Sequence, residues 1–243
     1  MRAIFLMFQL VLLLVAGIQP LSAAPQSGFS MPDQKVARSM VERVYNTWRI
    51  GMVRKDETAW RSATSQSRQM KVRNLIVSQK GTFPQDFFTN QPEPPSLDKF
   101  HYIGSIADAS KRSLAATYVG KVQLGESKAA ENAFVLLFVL ENGQWKFDQS
   151  RMFNLDSVPG VKDRLHKGDL SVLLEQDGFH PYAELPAVPA PCGRPQLIGK
   201  VFVDAPGRHI EMKINGVSQH QFDDERRAEV ISGGLKRGRN TIS

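Results

Sequence analysis

The sequence predicts an α+β protein: N-terminal helices, then a set of β-rich runs, then a Pro-rich linker, then a small all-β module. Three observations carry this expectation. Apolar residues recur every four positions at Val36, Met40, Val44, Trp48 and Met52, the stripe of an amphipathic helix. Four β-rich runs then fill residues 99 to 153, and five prolines (Pro181, Pro186, Pro189, Pro191 and Pro195) separate them from shorter runs of strand character. At 243 residues the chain exceeds the usual single domain, and a 42% hydrophobic content is enough to build cores. The expected division is 1–24 signal peptide, 31–178 α+β domain, 179–196 linker and 197–243 a partial, sandwich-like β module.

The first element is a targeting signal. Arg2 supplies the charged end, Ala3 to Ile18 the apolar core interrupted only by Gln9, and Gly17 with Pro20 break the run before Leu21-Ser22-Ala23-Ala24. Cleavage after Ala23 or Ala24 and an exported product, periplasmic or extracellular, are expected; the alternative is a retained membrane anchor. Ser30-Met31-Pro32-Asp33 then reads as a helix start with Ser30 as the N-cap. Gly51 and Arg54-Lys55-Asp56-Glu57 loosen this first helix, a short segment from Thr58 to Ala63 returns Trp60 to the core, and a further helix from Ser67 to Gln79 stops at Gly81.

Strands are expected over Lys99–Asp108, Ser113–Leu124, Asn132–Glu141 and Gln144–Phe153. Asn142-Gly143 supplies the positive φ values of a tight hairpin turn. The run Phe134 to Leu140 is apolar on both faces and must be a covered central strand. A helical region from Val161 to Gln176 closes this unit. Beyond the linker, Leu197–Asp204, Arg208–Asn215, Val217–Phe222 and Ala228–Ser232 read as short strands, with Asn215-Gly216 as a second turn. Asn240 to Ser243 begins another strand. A β-sandwich uses about seven, so a fragment or an incomplete module is expected.

The element order, together with Tyr45-Asn46-Thr47-Trp48-Arg49-Ile50-Gly51-Met52 followed by Lys55-Asp56-Glu57, resembles the nuclear transport factor 2-like superfamily over residues 31 to about 155. The resemblance implies a cone-shaped domain, a long helix against a curved sheet, whose interior can hold a ligand. That superfamily includes isomerases, dehydratases, polyketide cyclases and non-catalytic binding domains, so the fold does not choose among them. Gly238-Arg239-Asn240-Thr241-Ile242 resembles the opening of the last strand of an immunoglobulin-like module.

Charge and cysteine usage narrow the classes of partner. The net charge is +7, and from Gln34 to Lys80 the cations Lys35, Arg38, Arg43, Arg49, Arg54, Lys55, Arg61, Arg68, Lys71, Arg73 and Lys80 face only Glu42, Asp56 and Glu57. A basic face suits an anionic envelope surface or an acidic ligand; without an aromatic-interleaved basic motif, nucleic acid is not expected. The single cysteine, Cys192, excludes an internal disulfide and has no neighbour that marks it as a nucleophile.

No nucleophile elbow, metalloprotease helix or dinucleotide-binding turn is present, and Gly193 to Lys200 fails as a phosphate loop because Val201 replaces the Ser or Thr. His101, His166, His180, His209 and His220 show no metal spacing, so neither metal nor cofactor is expected. Acid–base candidates within a cone are His101, Tyr102, Tyr118, Asp148 and Arg151. Strict alternation puts Asp148 on the face opposite Trp145 and Arg151 unless a bulge intervenes. By helix and strand parity Tyr45, Trp48, Tyr118, Trp145 and Arg151 should line the interior, where aromatic walls and one guanidinium suit a small amphipathic anion. The expected function is an exported, non-catalytic binding or protein-interaction protein; the alternative is an isomerase-, lyase- or cyclase-type enzyme using the same pocket.

Overall fold

In the computed structural model the described residues are 29–89, 91–122, 129–175, 179–224 and 226–243; the expected signal segment, 1–24, lies outside them. The described chain is α+β and divides into two units that interleave in sequence. The first contains the residues up to Ser65 and Pro92–Pro186; the second contains Gln66–Gln91 and Ala187–Ser243. Among the described residues no helix is long and apolar enough to cross a membrane.

In the first unit, β1 (Phe29–Ser30) precedes α1 (Gln34–Arg54) and α2 (Glu57–Ala63). The expected cap at Ser30 is corrected: Ser30 is extended and pairs with Ala107 of the sheet, and Asp33 caps α1 by accepting from the amides of Lys35 and Val36. Lys55, at φ 57°, turns the chain out of α1, and Asp56 caps α2 by accepting from the Ala59 amide. Gly51 does not loosen α1. It is the point of closest approach to α2, where an added Cβ would stand 2.6 Å from the Trp60 amide nitrogen.

A five-stranded antiparallel sheet follows in the order β1, β2 (His101–Asp108), β3 (Ser113–Val122), β4 (Ala130–Glu141) and β5 (Gln144–Asn154). Asn142 and Gly143 take φ values of 50° and 75° at the β4–β5 turn, as the hairpin requires. Burial on both faces makes β4 the spine: Ala133 to Val139 are each 4% exposed or less. On one face Leu114, Ala116, Tyr118, Phe134, Leu136, Phe138 and Phe147 meet Ala37, Val41 and Tyr45 of α1. On the other, Ala115, Val119, Ala133, Val135 and Leu137 meet Leu155, Leu165, Leu170, Val172, Leu173 and Phe179. That second cover is folded as 3₁₀ turns at Leu155–Ser157 and Leu170–Glu175 around a short helix, Pro159–His166, in place of one continuous helical region.

The second unit begins with α3 (Gln66–Ser78) and α4 (Gln85–Thr89), and the Pro159–His166 helix of the first unit is α5. The proline-bearing run is divided between the units. Phe179 and Tyr182 pack in the first, whereas residues 187 to 196 lie along α3. Proline removes amide donors and leaves carbonyls open, and α3 meets those carbonyls with side chains. Ser67 donates to the Ala187 carbonyl at 3.1 Å, Asn74 to Ala190 at 2.9 Å and Arg73 to Cys192 at 2.9 Å. Cys192 is a free, buried thiol and its amide donates to the Asn74 side chain at 3.0 Å. Two antiparallel pairs complete the unit: β6 (Lys200–Asp204) with β9 (Arg226–Val230), and β7 (His209–Ile214) with β8 (Ser218–Asp223). Val201, Ile214, Phe222 and Ile231 form their shared core. The last residues add to β7, the Lys213 amide donating to the Ser243 carbonyl at 2.8 Å.

Candidate functional site

The register of β5 decides which candidate side chains meet. Phe147 stands opposite Phe138 and Gln149 opposite Leu137, so Asp148 is an inserted residue, a bulge. A single insertion reverses parity for everything beyond it. Trp145 and Phe147 therefore lie on the α1 face, whereas Arg151, opposite Val135, lies on the face covered by the segment from Leu155 to Tyr182. Trp145 and Arg151 do not share a face, and Phe153 moves with Arg151 to pack against Phe179 at 4.8 Å between ring centroids.

Four of the five expected pocket residues are brought together: Tyr45, Trp48, Tyr118 and Trp145 all belong to the cluster between α1 and the sheet. There they meet rings. Trp48 lies 4.4 Å from Phe147 and 5.3 Å from Tyr45, and Tyr45 lies 5.6 Å from Phe147, centroid to centroid. The Tyr45 hydroxyl donates to the Pro95 carbonyl at 2.9 Å, and burial pushes its phenol well above the ordinary range. Nearby, Tyr102 donates to the Gln34 side chain at 3.0 Å, and the Ser105 amide reaches the same oxygen at 2.7 Å. Burial likewise raises the Tyr102 phenol. His101, at the start of β2, is exposed.

The bulge itself builds a polar cluster on the opposite face. Asp148 is 3% exposed and accepts from the Ser65 hydroxyl on one carboxylate oxygen and from the Tyr182 hydroxyl, at 2.5 Å, on the other. Gln149 donates to the Tyr182 oxygen at 2.6 Å, and the Tyr182 amide donates to the Ser113 hydroxyl at 2.8 Å. Burial first, then the Asp148 carboxylate, push the Tyr182 phenol far above its ordinary range, so it keeps its proton and donates it. Arg151 has a buried Nε without a hydrogen-bond partner among the described residues. The cluster joins three segments: Ser65 after α2, β5 and the stretch after Phe179. Both carboxylate oxygens of Asp148 already have donors. The sequence signal that could have located it is Asp148-Gln149-Ser150-Arg151, four polar residues together inside a strand, a pattern that breaks period two.

A third arrangement lies in the second unit. The Ser218 hydroxyl is 2.7 Å from His220 Nε2, and His220 Nδ1 is 2.6 Å from a Glu229 carboxylate oxygen, the connectivity of a Ser–His–acid relay. Ser218 is 1% exposed and also accepts from the Ser232 amide at 2.8 Å, so the row ties β8 to β9 rather than presenting a nucleophile to solvent. Among the described residues no group of three His, Cys, Asp or Glu side chains could hold a metal ion.

The exposed side of α1 carries a different chemistry. Lys35, Arg43, Arg54 and Lys55 are exposed and, among the described residues, have no acidic partner. Of the acids beside them, Glu42 pairs with Arg38 at 2.7 Å and Glu57 with Arg61 at 2.7 Å, while Asp33 and Asp56 cap helices through backbone amides and keep their charge. Arg49 pairs with Glu93 and donates to the Pro94 carbonyl at 2.9 Å. Compared with family models, with curated proteins and with solved structures, the chain matches none.

Proposed function

We propose that this protein is an exported, non-catalytic interaction protein, with a nuclear transport factor 2-like first unit and an immunoglobulin-like second unit serving as scaffolds. The apolar run ending in Pro20 and small residues supports export. Helices followed by an antiparallel sheet in sequential strand order support the first likeness, with the long α1 packed on one face as in a cone-shaped domain. Two short antiparallel pairs around Val201, Ile214, Phe222 and Ile231 support the second.

One observation carries the non-catalytic reading. The α1 face of the sheet is packed ring against ring around Trp48, and the one guanidinium expected there, Arg151, belongs to the other face. An amphipathic anion would have neither its aromatic slot nor its charge partner in one place. The test is a titration of the protein with dodecanoate or dodecyl phosphate followed by Trp fluorescence. No saturable change below about 1 mM is expected, which is weaker than about −4 kcal/mol of binding. A stoichiometric site that Arg151→Ala removes would overturn the reading.

The enzyme alternative draws on a specific contact, the 2.5 Å between Tyr182 and Asp148, a carboxylate and a phenol of the kind used in proton transfer next to a carbonyl. It requires Asp148 to exchange one of its two present donors for a substrate. Proton NMR of small ketones incubated with the protein in deuterium oxide separates the readings. No deuterium wash-in at the α-carbon is expected; wash-in that Asp148→Asn abolishes would establish the enzyme.

A further inference from the structure

We infer that the outward face of α1 docks the protein on an anionic lipid bilayer. The inference deepens the interaction-protein reading and rests on it. Positions seven apart lie on one stripe of a helix, and here Val36, Arg43 and Ile50 form such a row. Val53 and Arg54 continue it at the C-terminal end, and Lys35 stands beside Val36 at the other. The buried residues Ala37, Val41, Tyr45 and Met52 occupy the opposite side of the same helix. The face is thus solvent-directed along the whole of α1, about 30 Å at 1.5 Å per residue.

Two properties of this stripe identify the partner. The first is charge. Lys35, Arg43, Arg54 and Lys55 form no ion pair among the described residues, Glu42 and Glu57 are paired with Arg38 and Arg61, and the capping carboxylates Asp33 and Asp56 add negative charge only at the helix ends. The second is the aliphatic side chains between the cations: Val36 is 66% exposed, Ile50 43% and Val53 46%. A soluble anionic polymer would satisfy the cations and leave the aliphatic side chains in water. A bilayer interface satisfies both, since headgroups meet Lys and Arg while Val and Ile enter the boundary with the acyl chains. Lys55 adds to this surface because its left-handed backbone ends α1 and holds the chain at the rim of the stripe.

The expected strength follows from the charge. Each Lys or Arg near an anionic bilayer is worth about fivefold in affinity, so a triple reversal weakens binding on the order of a hundredfold or more. Screening over about 10 Å at 0.1 M salt makes the interaction strongly salt-dependent.

The experiment is vesicle co-sedimentation of the mature protein with pure phosphatidylcholine and with phosphatidylcholine containing phosphatidylglycerol, at low and high salt. Binding to the anionic vesicles only, lost at high salt, lost in R43E/R54E/K55E and reduced several-fold in I50S/V53S, is the expected result. All five substituted side chains are exposed. Unchanged near-ultraviolet circular dichroism in both variants shows that the ring-packed side of α1 is intact, which keeps a failure of this surface apart from a failure of the scaffold reading. Equal binding to neutral vesicles, no sedimentation with either, or charge reversal without effect would overturn the inference. Retention on a sulfated polysaccharide without vesicle binding would overturn it in favour of a polymer.

Discussion

Tyr118 is 1% exposed, its ring meets Tyr102 edge-on at 5.2 Å, and its hydroxyl has no hydrogen-bond partner among the described residues. Burial raises its phenol well above the ordinary range, so the group is neutral and its desolvation is uncompensated. Tyr45, in the same cluster, differs in one respect: its hydroxyl reaches the Pro95 carbonyl. The two tyrosines should therefore respond oppositely to loss of the hydroxyl. Tyr118→Phe is expected to leave stability unchanged or raise it by up to about 1 kcal/mol, and Tyr45→Phe to lower it by about 1 kcal/mol. Urea denaturation of both variants checks this, and a loss of more than about 1 kcal/mol in Tyr118→Phe would show that its oxygen has a partner after all. Both tyrosines are buried in the cluster between α1 and the sheet. Which hydroxyl finds a carbonyl depends on Pro95, fifty residues from Tyr45, and no local pattern encodes that meeting.

The elements were legible wherever one period governed them. The spacing of four in α1 marked the helix but not its buried side, which is Ala37, Val41, Tyr45 and Met52, with Val36 66% exposed; the continuous apolar run of β4 and the Asn-Gly turn follow from local rules. β5 was misread because strict alternation was applied across Asp148. A bulge costs the pattern a single residue and leaves no signature except the polar cluster that it serves. Gly51 was misread for a related reason. Glycine in a helix interior suggests weakness by propensity, yet here the missing Cβ admits the backbone of Trp60, 1% exposed on α2. Propensity alone predicts that Gly51→Ala stabilises α1 by about 1 kcal/mol. The geometry predicts the reverse, a net loss of about 1 to 3 kcal/mol as the methyl group drives α1 and α2 apart. Thermal unfolding decides between the two signs, and a raised Tm would mean that the α1–α2 approach is looser than 2.6 Å.

At the scale of the molecule, the sequence division put α3 with the sheet and treated 179–196 as a spacer, whereas contacts group Gln66–Gln91 with Ala187–Ser243. Besides the buried Val72 and Ile76, α3 uses buried polar side chains for this attachment. Asn74 and Ser78 are 3% and 0% exposed, and Ser78 accepts from the Gly233 amide at 2.8 Å. Periodicity is blind to such residues. A chain ended at Pro186 should keep slow amide exchange in β2 to β5 and lose it in Gln66–Ser78, because those polar groups no longer have their carbonyl and amide partners. Hydrogen–deuterium exchange resolved by peptide reports both segments, and protection of α3 in the shortened chain would reassign it to the first unit. The interleaving also sets a timetable. Gln66–Gln91 emerges from the ribosome roughly a hundred residues before Ala187, an interval on the order of 5 to 20 s at ordinary elongation rates. During that interval the helix that will hold the second unit together has only its own sequence to sustain it, and Asn74 waits in water for a backbone that has not yet been made.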